Sequence, residues 1–162
     1  MTKHEEMQAF YHHYKRVNKK SVVTMAEVAH AAILQGWPTP PPVSGEERLT
    51  KNFVDAAREE IRYDKKTKRP YRANLAMTQR LKNGKQLALW IDTDDATRSQ
   101  MVLAISKYRE QMVGEAEIGT NTVEHWNSIN PTQQPLPFPL DFADEVAWRR
   151  NATVEEKSGK LG

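Results

Sequence analysis

Apolar residues recur along this chain in two rhythms: a spacing of three to four that belongs to helices, and short runs near alternation that belong to strands. Met7, Phe10, Tyr14 and Val17 fall on one helical stripe behind Thr2-Lys3-His4-Glu5. That tetrapeptide is a capping box, in which the threonine hydroxyl accepts a first-turn N–H and the glutamate reaches back. A second box, Thr24-x-x-Glu27, opens a helix over 25–35 that buries Met25, Val28, Ala29, Ala32 and Ile33, with Gly36 closing it and Trp37 folding back beneath. Four prolines between Pro38 and Val43 make a stiff connector. Ser44-x-x-Glu47 then begins a third helix over 45–62, on which Leu49, Phe53, Ala57 and Ile61 recur every four residues.

Beyond residue 62 the pattern changes. The segment 62–72 is dense in cations and interrupted by Pro70, which predicts a loop projecting into solvent. Ala73 to Leu81 and Gln86 to Asp92 flank Asn83-Gly84, a dipeptide suited to tight turns with positive φ at both central residues, so an antiparallel hairpin is expected. Thr93 or Asp92 caps a fourth helix with Asp94 and Asp95 in its first turn, ending at Val113 before Gly114. Asn121-x-x-Glu124 starts a short fifth helix. Leu136, Phe138 and Leu140 alternate with prolines in an extended strap along these two helices, and Asp141 caps a final turn carrying Val146 and Trp148. Residues 151–162 read as a polar, flexible tail.

Composition narrows what such a chain can be. Its 162 residues are 38% hydrophobic and 28% charged with mean hydropathy −0.76, which describes a soluble polypeptide of one modest domain plus an extension. No apolar run reaches the roughly 18 residues of a membrane helix, and Met1 to Met7 lack the apolar core of a secretory signal, so no membrane partner and a cytoplasmic location are expected. Without cysteine there is no disulfide, no thiol nucleophile and no Cys-ligated metal. His12 and His13 are adjacent and point about 100° apart on a helix, and no His pair has H-x-x-x-H spacing, so neither a metal nor any other cofactor is expected.

The net charge of +3 conceals a division. Residues 1–85 hold 17 Lys/Arg against 9 Asp/Glu, whereas 86–162 hold 7 against 12. A basic front half suits a polyanionic partner.

The order helix, helix, helix, basic segment, hairpin resembles that of winged-helix DNA-binding domains over residues 1 to about 92. The resemblance is one of organisation, and the turn from Trp37 to Val43 is longer than a helix-turn-helix turn. It implies an α+β fold: a three-helix, winged-helix-like basic domain with an antiparallel hairpin (1–92), a helical extension with a Pro-rich strap (93–150), and the tail (151–162). It also implies binding of double-stranded DNA. Arg48, Lys51, Asn52 and Arg58 on the third helix would face base edges, with Asp55 among them; Arg62, Lys65, Lys66, Lys68, Arg69 and Arg72 would meet phosphates.

The remainder of the chain, with Gln111 to Gly114 followed by Asp141-Phe142, is similar to the tails of small uncharacterised bacterial and prophage proteins. Met101, Ile105, Tyr108 and Met112 approach heptad spacing and offer a homodimer interface. Leu87-Ala-Leu-Trp-Ile-Asp92-Thr-Asp94 resembles the first motif of haloacid-dehalogenase-type phosphatases, in which Asp92 would attack phosphorus. That fold needs a parallel sheet, a downstream lysine and more residues than remain here, and helix capping accounts for the aspartates more simply. The resulting expectation is a non-enzymatic DNA-binding protein, a transcriptional regulator or an accessory of a mobile element. The rival is a protein-interaction adaptor using the acidic half.

Overall fold

A computed structural model describes residues 1–152; residues 153–162, most of the tail expected to be flexible, lie outside the described region. The described chain is α+β, with five helices and two small antiparallel hairpins. It divides into two compact units, Met1–Arg48 and the part from Leu49 onward.

In the first unit, α1 (Lys3–Val17) starts at the Thr2 capping box, with both reciprocal bonds formed. It ends where Lys19 takes φ +52° and the Lys20 N–H reaches the Lys15 carbonyl. The second helix, α2 (Met25–Leu34), is capped by Thr24 and closed in the same way: Gly36 adopts φ +91° and the Trp37 N–H donates to the Ala32 carbonyl. This turn brings the Trp37 ring to 5.2 Å from Phe10 on α1, and Val28 is buried.

The third helix, α3 (Gly45–Glu59), begins in the first unit and continues into the second. It stops earlier than its apolar periodicity predicts. Its last carbonyls are taken by residues distant in sequence: Asn74 Nδ2 donates to Ala57, Arg72 Nη1 to Arg58, and the Ala73 N–H to Glu60. With its end satisfied this way, the chain turns at Glu60 into β1 (Ile61–Tyr63), which pairs with β2 (Pro70–Arg72). The segment expected to be a loop is therefore a hairpin. Pro70 is compatible with it because it opens the strand.

The hairpin expected around Asn83-Gly84 is present as β3 (Asn74–Arg80) and β4 (Gln86–Asp92), in register from Asn74 opposite Asp92 to Arg80 opposite Gln86. Its turn differs from the expected one. Gly84 alone has positive φ, at +80°, and the Leu81 N–H bonds the Lys85 carbonyl across three loop residues. This is the longer hairpin connection in which a single left-handed residue completes the turn.

The fourth helix, α4 (Arg98–Ile129), is one helix of 32 residues where two were expected. Its cap is Thr97, in a capping box with Gln100, and not Asp92 or Thr93. Neither Gly114 nor Gly119 interrupts it, since a helical glycine costs only about 1 kcal/mol. At Gly119 the missing side chain is used: an added Cβ would lie 2.5 Å from the Phe138 ring. The strap runs along α4 as expected, clasped where Asn127 both donates to the Leu136 carbonyl and accepts its N–H. The last helix, α5 (Ala143–Asn151), follows, with Asp141 accepting the Ala143 N–H. Ala104 of α4, which packs on β3, and Ala73 between the hairpins are buried.

Candidate nucleic-acid interface

The β1–β2 connection concentrates the cations of the second unit. Asp64 organises it: its Oδ1 accepts the backbone N–H groups of Lys66 and Thr67, while its own backbone bonds Arg69 and Lys68. These bonds, that from Thr67 foremost, hold the Asp64 carboxyl below the usual aspartate range. Lys68 adopts φ +57°, the left-handed conformation that closes the loop. The lone acid of this loop is thus turned onto backbone. Lys65, Lys66 and Lys68 are exposed, and their ammonium groups have no partner among the described residues.

Beneath the loop lies an ion cluster. Arg62 Nη1 and Nη2 engage both oxygens of Asp92 at 2.8 Å; Nη1 also meets Asp94 at 2.7 Å and Nη2 meets Glu60 at 3.1 Å. The bidentate bond to Asp92 is the largest influence raising the Arg62 pKa, and the same bond holds Asp92 below its usual range. The Tyr71 hydroxyl donates to Asp94, and partial desolvation, followed by that carboxylate, pushes the phenol up. Asp92 and Asp94 are therefore fastening groups that tie one hairpin to the other.

The expected DNA-facing residues separate into two sets. Arg62 is committed to carboxylates, Lys51 pairs with Asp55, Arg58 lies 5.8 Å from the Trp90 ring, and Arg72 lies 5.7 Å from the Tyr108 ring. Arg48 and Asn52 are exposed on α3, and Arg69 donates to Asn151 of α5. Of the stripe offered for dimerisation, Met101 is half-buried, Ile105 and Met112 are exposed, and the Tyr108 ring holds Arg72.

Two further cations, Arg149 and Arg150, were not singled out in the sequence. They line a cleft of about 780 Å³ with Arg69 and Tyr71. The Arg-Arg dipeptide at the end of the last helix was the available signal, but the acidic balance of that half obscured it. Among the described residues there is no group of three metal-ligating side chains and no helix long and apolar enough to cross a membrane. Comparisons with protein-family models, with curated proteins and with solved structures give no match.

Proposed function

We propose that this chain binds double-stranded DNA without catalysing a reaction on it, as a regulator or mobile-element accessory factor, with β1–β2 acting as the wing of a winged-helix-like arrangement. The observation that carries this reading is the loop in which Asp64 is spent on backbone N–H groups and Lys65, Lys66 and Lys68 are left to solvent. A preordered loop of this kind meets phosphates at little entropic cost, and its affinity arises from counterion release. Exposed Arg48 and Asn52 remain for base edges on α3.

The test is fluorescence anisotropy with mixed-sequence duplex DNA across a salt series. The wild type should bind, and a variant with Lys65, Lys66 and Lys68 changed to Ala should lower the log–log salt slope by up to about 3, near 0.9 per lost phosphate contact. Absence of binding at low salt overturns the reading. A second reading, a protein-interaction adaptor, draws on Leu136, Phe138 and Leu140, which stay 44–51% exposed along the strap.

A further inference from the structure

The cleft beside the β1–β2 loop has a chemistry distinct from that of the lysine tip. Pro70, Tyr71 and Val146 contribute apolar surface to its lining. Three guanidinium groups border it: Arg69 from the hairpin, and Arg149 and Arg150 from α5. Both carboxylates that line it are already engaged. Asp64 accepts two backbone N–H groups, and Asp94 accepts Arg62 and the Tyr71 hydroxyl. Arg69 donates to the neutral Asn151, and Arg149 and Arg150 have no acidic partner among the described residues. Three arginines against two aspartates give the cleft lining a formal surplus of positive charge, alongside the apolar surface of Pro70, Tyr71 and Val146. Its volume, about 780 Å³, lies within the ~300–1,000 Å³ typical of small-molecule sites.

We infer that this cleft binds a nucleoside monophosphate, with the base against Pro70 and Tyr71 and the phosphate monoester on the arginines. Guanidinium groups suit a phosphate dianion through paired N–H donors, and an aromatic wall accepts any base by stacking. An inorganic anion alone would leave the apolar surface unused. An uncharged nucleoside would leave the arginines unpaired. The ligand is either a free nucleotide or the 5′-terminal nucleotide of a DNA strand, since both present the same group. Arg69 is shared with the duplex-binding reading, whereas Arg149 and Arg150 lie on α5, outside the β1–β2 wing, so the two can be tested separately.

Isothermal titration of the full chain with deoxyadenosine monophosphate, deoxyadenosine and inorganic phosphate tests it. The monophosphate should bind at least tenfold more tightly than either fragment, and R149A/R150A should weaken it at least tenfold with an unchanged circular dichroism spectrum. The Lys65, Lys66, Lys68 triple-Ala variant should retain it. Competition by a 5′-phosphorylated hexanucleotide but not by its 5′-hydroxyl counterpart supports the strand end as ligand; competition by neither supports the free nucleotide. Equal competition by both overturns monoester recognition. So does phosphate binding as tightly as the nucleotide, monophosphate affinity unchanged in R149A/R150A, or no heat at millimolar monophosphate. Nucleotide binding without duplex binding leaves the cleft and removes the wing; the converse removes the cleft alone.

Discussion

The two hairpins of the second unit are built by opposite means. The β3–β4 pair has seven-residue strands carrying Leu75, Met77, Leu89, Trp90 and Ile91, and packs on α4. Its stability comes from a long ladder with a half-buried apolar surface. The β1–β2 pair has three-residue strands with an Ile-Arg-Tyr and Pro-Tyr-Arg content that buries little. What holds it is polar: the Arg62 cluster below, and the Asp64 turn above. A hairpin too short to stand by itself can therefore be fastened to a longer one by charge, which leaves its outer surface open for lysines.

The residue joining the two hairpins gives the largest expected effect. Ala73 is fully buried, its N–H donates to Glu60 and its carbonyl accepts from Thr93. Ala73→Leu should cost about 2–3 kcal/mol by overpacking, seen in urea denaturation, and should loosen both hairpins together. If only β1–β2 loosened, the hairpins would be independent and the comparison would fail. Next come reciprocal exchanges at the two left-handed positions. Gly84→Lys should destabilise by about 1–2 kcal/mol, because a side chain at φ +80° is strained. Lys68→Gly should be neutral or stabilise by a few tenths of a kcal/mol, since strain relief at φ +57° is offset by chain entropy. A large loss at Lys68 would mean that its side chain holds the loop, contrary to its exposure.

The smallest effect is one of pH. Asp92 has a folded pKa below its ordinary value of 3.8, chiefly because of Arg62. A depressed carboxyl contributes stability that is fully present above the unfolded value and is lost as pH falls through the folded one. Asp92→Asn should therefore lower the melting temperature at pH 7, and the gap from wild type should close as the pH drops from about 4 towards 3. A gap that stays constant down to pH 3 would show that the pair is not what fastens the hairpins.

The contrast also governs what could be read from sequence. The β3–β4 hairpin was legible because its apolar residues flank Asn83-Gly84, and α1 and α2 because Thr2, Thr24 and Gly36 mark their ends by local chemistry. The β1–β2 hairpin was hidden. Its three-residue strands have no periodicity to detect, and their cause lies in Asp92, Asp94 and Asn74, up to 32 residues away. The same distance effect shortened α3 and left Asp94 outside α4. Within the candidate interface, Lys65, Lys66 and Lys68 were identifiable from charge alone. The engagement of Arg62 and the approach of Arg149 and Arg150 depend on tertiary placement, which local pattern does not encode.

The hydrogen bond from Arg69 to Asn151 spans 82 positions, far more than the pairings within either hairpin. Closing so long a segment is entropically slow, and its gain is realised only after α4 and the strap are in place. The cleft should therefore be the last feature of its unit to assemble and the first to open. Cleavage within residues 131–142 would release its α5 wall and leave the lysine loop standing, so limited proteolysis can separate the two surfaces without altering a single side chain.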